Sequence, residues 1–139
     1  MIMDEDALDL RYLRRLVVRL LLSALCAGLS YFVWLGGFLL SKDYTGPVMR
    51  GIFWVTAPLV TAIGFAAGIV AHERIVRSAR TGFFRILLWP LVGCTIGAVA
   101  IYWYGPMLIV FGMFAAGTAS IALRELLLRG KERNKRETA

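Results

Sequence analysis

The sequence predicts an all-α integral membrane protein: a four-helix bundle, N-in/C-in, with a short N-terminal amphipathic helix at the interface. Three observations predict it. Apolar residues make up 59% of the 139-residue chain and charged residues only 18%, where a soluble domain carries about a quarter; mean hydropathy is +0.70. The apolar residues run in four long blocks instead of alternating with polar ones, and about 20 such residues carry a helix across a bilayer. Charged residues are confined almost entirely to the intervals between blocks.

Residues 1–15, "MIMDEDALDLRYLRR", read as a cytoplasmic interfacial segment. Asp4, Glu5, Asp6 and Asp9 favour the positive end of a helix dipole, and the arginines that follow suit anionic headgroups. The acidic opening and the length of the apolar stretch argue against a cleavable signal peptide. The membrane domain is expected over 16–124. Its first crossing covers about 16–40, and "SKDYTGP" then turns the chain, with Pro47 suited to a first helical turn. The second crossing is expected at about 52–72, the third at 83–104, and the fourth at 107–124 after the reversal "YGP". Pro58 and Pro90 fall inside helices and are expected to bend them. Residues 125–139, "ELLLRGKERNKRETA", form a basic tail that continues helix four.

Orientation follows from the basic residues. Of the 16 lysines and arginines, all but Lys42 and Arg50 fall on one side of a four-crossing chain, and positive charge is retained in the cytoplasm. Both termini are therefore expected in the cytoplasm, with the chain in a bacterial inner membrane. Arg14, Arg15, Arg19, Arg74, Arg77, Arg80, Arg85 and Arg124 are the topology and headgroup residues of this reading. Arg19, the charge deepest in a crossing, is expected to snorkel to the headgroups. Tyr31, Trp34, Trp54, Tyr102, Trp103 and Tyr104 would form the opposite aromatic belt.

Lipid tails are as apolar as leucine, so the helices must associate through close packing at small residues. Pairs four apart share a helix face. Ala24 and Gly28 supply such a pair in helix one, Gly64 and Gly68 in helix two, and Gly93 and Gly97 in helix three. Gly112, Ala116 and Ser120 form the stripe in helix four. "FAAG" recurs at 65–68 and 114–117, a faint echo of two duplicated hairpins.

Little in the sequence suggests chemistry. Glu73 and Glu125 lie at helix exits beside Arg74 and Arg124 and read as boundary ion pairs, which disfavours small proton-coupled exporters that need a mid-membrane carboxylate. His72, the single histidine, marks the exit of helix two. As a haem ligand it would lack an axial partner, since Met113 differs from it in depth by roughly 15 Å. Cys26 and Cys94 have no metal or disulfide spacing and read as small apolar packers, although they share a depth at which thiols on touching helices would meet. The hydroxyls of Ser30, Thr56, Thr61, Thr95 and Ser120 would line a polar path or bond to their own helices. A net charge of +7 would suggest nucleic acid in a soluble domain. Here its placement speaks for topology, and no nucleic-acid partner, metal, cofactor or enzymatic activity is expected. The expected role is that of a non-catalytic accessory or structural subunit of a larger membrane complex, contacting lipids and other subunits or its own copies. The alternatives are a small transport component, of the lipid-linked sugar flippase type or the small subunit of a tripartite transporter, and a haem-binding anchor through His72.

Overall fold

A computed structural model describes residues 2–41, 46–77 and 82–139. The protein is all-helical there: α1 (Ile2–Leu40), α2 (Pro47–Arg77), α3 (Phe83–Tyr102) and α4 (Ile109–Thr138), with one 3-10 turn at Pro106–Leu108. All four α-helices are long and apolar enough to cross a membrane. Lys42 and Arg80 lie outside the described residues, as does the Arg77 side chain.

α1 is a single helix of 39 residues, so the interfacial segment expected at 1–15 is not a separate element. No glycine or proline occurs before Gly28, and nothing else in that stretch stops helix propagation. α2 begins at Pro47, the residue expected in its first turn and ahead of the crossing expected from about 52; the missing N–H costs nothing there, and Arg50 N–H donates to the Gly46 carbonyl at 3.1 Å. Pro58 and Pro90 lie within helices that continue through them. The α3–α4 reversal needs Gly105, whose φ of 133° is open to glycine and strained for other residues.

Consecutive helices pack side by side, and α1 meets α4 only sparsely to close the ring. α2 is the most enclosed helix; the other three turn most of their surface outward. Leu21, Leu25, Phe32, Val33, Val55, Val92 and Phe111 are all more than half exposed. In water such a surface would aggregate, whereas lipid tails solvate it.

Two seams are close. A methyl group placed on Gly64 would stand 2.5 Å from Ala27 Cα, and one on Gly68 would stand 2.5 Å from Ser23 Cα, so α1 and α2 touch backbone to backbone. A methyl on Gly97 would strike the Gly112 carbonyl oxygen, and one on Gly93 would come within 2.6 Å of that of Ala116, which joins α3 to α4 the same way. At the far end from the termini, Phe53 of α2 packs against Phe38 and Tyr31 of α1, with ring centroids 4.5 and 6.4 Å apart. Tyr31 thus belongs to the core, while Tyr102, Trp103 and Tyr104 are exposed.

Candidate functional site

The end of the bundle that carries both termini holds a buried cluster of charges. α1 contributes Arg19, one turn inside its apolar run. α2 contributes Glu73 and α4 contributes Glu125, each just past the last apolar residues of its crossing. Their exposures are 4%, 7% and 8%. Arg19 Nη1 stands 2.5 Å from Glu125 Oε2, and Arg19 Nη2 stands 3.9 Å from Glu73 Oε1. Arg124 Nη1 donates to Glu125 Oε1 at 3.0 Å. Two guanidinium groups thus face two carboxylates, and the set is neutral. Arg19 Nε and Glu73 Oε2 are buried without a hydrogen-bond partner among the described residues. His72, next to Glu73, is also buried.

A shell of contacts covers this cluster. The Tyr12 hydroxyl donates to the Glu125 backbone carbonyl at 3.3 Å. The Arg129 guanidinium lies 4.4 Å above the Tyr12 ring and pairs with Asp9. The first turns of α1 and the last turns of α4 therefore run together beyond the buried charges.

This arrangement departs from the sequence reading at two residues. Arg19 does not reach outward; it turns into the bundle because carboxylates on two other helices meet it there, and a charge in a low-dielectric setting is tolerated when paired. Glu73 faces Arg19, while Arg74, its expected partner, is exposed. Glu125 keeps Arg124 and gains Arg19. The signal that could have found the cluster is depth: Arg19, Glu73 and Glu125 all mark the same end of their crossings. Arg14, Arg15 and Arg85 are exposed at that end, and Arg124 is half-buried.

Among the small residues, Gly64, Gly68, Gly93, Gly97, Gly112, Ala116 and Ser120 all lie at helix contacts. Ala24 and Gly28 sit differently. The close approach to α2 is made by Ser23 and Ala27, one position earlier, while a methyl on Gly28 would stand 4.0 Å from the Phe114 ring. Gly117, not singled out from sequence, accommodates Phe65 of α2 and the Cys94 sulfur; a methyl there would meet them at 2.7 and 2.9 Å.

The thiols do not meet, because α1 and α3 share no contact among the described residues; Cys94 Sγ points to the Met113 carbonyl at 3.5 Å. Thr56, Thr61, Thr95 and Ser120 all donate to carbonyls of their own helices. Met113 lies twelve residues before Glu125, about 18 Å along α4, too far to share an iron with His72. On the outer face of α3 and α4 runs an apolar furrow of about 500 Å³, walled by Leu88, Trp89, Val92, Ile96 and Leu123 and floored by Gly93, Ala116, Ala119 and Ser120.

No protein-family model, curated protein or solved structure matches this chain. The fold itself defines the class, a small polytopic membrane protein built from four apolar helices.

Proposed function

We propose that the protein is a non-catalytic accessory subunit of a larger membrane complex, seated in a bacterial inner membrane with both termini in the cytoplasm. The observation that carries this reading is the α3–α4 furrow. Small side chains on its floor let another backbone approach closely, which is how helices associate where burial of apolar surface offers no gain. Its occupant in this reading is one transmembrane helix of a partner subunit. The exposed arginines at the termini end, Arg14, Arg15, Arg74 and Arg85, support the orientation and suit anionic headgroups.

Purification from a mild detergent tests the assignment. A membrane partner should accompany the wild-type chain in fixed stoichiometry and be lost when Ala119→Trp fills the furrow. Recovery of the chain alone contradicts it.

A second reading, a small transport component, is favoured by the buried Arg19–Glu73–Glu125 set, because ionisable groups enclosed in a membrane bundle commonly mark solute or ion pathways. Uptake or lipid flipping in vesicles containing this chain alone would decide for transport.

A further inference from the structure

We propose that Arg19 is a two-position latch across the α1–α4 seam, holding Glu125 while the bundle is closed and passing to Glu73 when the seam parts at the termini end. The bundle consists of two internally fixed hairpins. Gly64 and Gly68 lock α1 to α2, and Gly93 and Gly97 lock α3 to α4, with no room for even a methyl group. The α1–α4 seam is different. The helices meet sparsely there, and a methyl added to Gly28 would only just reach van der Waals distance of the Phe114 ring. The polar links across this seam sit at one end: Arg19 to Glu125, Tyr12 to the Glu125 carbonyl, and Asp9 to Arg129.

Parting a buried ion pair ordinarily strands a desolvated charge. Here it does not. The four charges divide into two neutral pairs, one per hairpin: Arg19 with Glu73 on α1–α2, and Arg124 with Glu125 on α3–α4. The second pair is already formed at 3.0 Å. The first needs only a small side-chain movement, since Glu73 Oε1 stands 3.9 Å from Arg19 and its Oε2 is buried with no donor among the described residues. Glu73 is the spare acceptor that lets the guanidinium leave Glu125 without losing a counter-charge. Opening would uncover Glu73, now buried. Rocking of rigid units about a packed interface is an established kind of transition in membrane proteins, and the interface left for it is the α2–α3 contact together with Phe65 of α2 on Gly117 of α4.

Distances between spin labels test the latch in lipid nanodiscs, in a chain carrying Cys26→Ala and Cys94→Ala. One label pair, at Leu13 and Leu128, reports the termini end; a second pair, at Val33 and Phe111, reports the far end. All four positions are exposed. Glu125→Gln removes the cross-seam counter-charge and should raise the population of a longer distance at the termini end at least about tenfold, the factor commanded by about 1.4 kcal/mol. The far-end distance should stay unchanged. Glu73→Gln removes the receiving counter-charge and should give a single short distance. Should Glu125→Gln fail to yield monodisperse protein, Glu125→Asp, which keeps the charge but shortens its reach, should produce the same shift in smaller measure. An unchanged distribution in the Glu125 variants, or equal broadening by Glu73→Gln and Glu125→Gln, overturns the proposal.

Discussion

Arg19 shows how far depth, but not direction, can be read from one residue's place in a sequence. Its position one turn inside an apolar run gives its level in the bilayer. Whether it faces lipid or the bundle depends on where α2 and α4 put their carboxylates, 54 and 106 positions away, and no local spacing encodes that. Pairing makes a prediction at this scale. Arg19→Met leaves Glu125 its Arg124 but strands Glu73, and loss of one partner from a buried pair costs about 3–5 kcal/mol. The double variant Arg19→Met/Glu73→Gln should recover a large part of that loss in unfolding titrations in mixed micelles. Equal losses would show that Glu73 is not Arg19's counter-charge. The cysteines make another. Cys94 is buried against α4 and Cys26 is partly exposed, so maleimide should modify Cys26 first and reach Cys94 only on unfolding.

The helices themselves were legible because apolar blocks of this length admit one solution in a bilayer. Their ends were less so. α1 outruns its crossing at the N-terminal side since propensity, not lipid, decides where an uninterrupted helix stops. The small-residue faces were legible on α2, α3 and α4, where glycines reveal them. On α1 the same logic selected Ala24 and Gly28, and the contact fell on Ser23 and Ala27. A methyl group or hydroxymethyl group there is small enough once the opposing residue is glycine, so the burden of smallness lies on α2. Gly68→Ala and Gly97→Ala should each destabilise by about 1–3 kcal/mol, because the backbones they would strike cannot yield cheaply. Gly36→Ala, with nothing within 4 Å of its added carbon, should be neutral or stabilising by up to about 1 kcal/mol. Comparable losses at all three sites would deny the seams their special closeness.

For the molecule as a whole, the four apolar helices among the described residues and the lopsided basic residues predict both termini on one side of the membrane. Fluorescent-protein and phosphatase fusions at each end should report the cytoplasm at both, and opposite reports would refute the four-crossing topology. The two copies of "FAAG" sit differently: a methyl on Gly117 would strike the Phe65 ring first, whereas one on Gly68 would strike first the α1 backbone at Ser23. Unequal helix length has a consequence for the surrounding lipid. α3 has 20 residues, about 30 Å, the thickness of a typical hydrocarbon layer with nothing to spare, while α1 is nearly twice as long. In a thicker membrane α1 can stand more upright, but the short plank cannot lengthen, so the mismatch must be absorbed by acyl chains compressing beside α3. The protein should therefore dimple thick bilayers on that flank alone and gather where the sheet is thin.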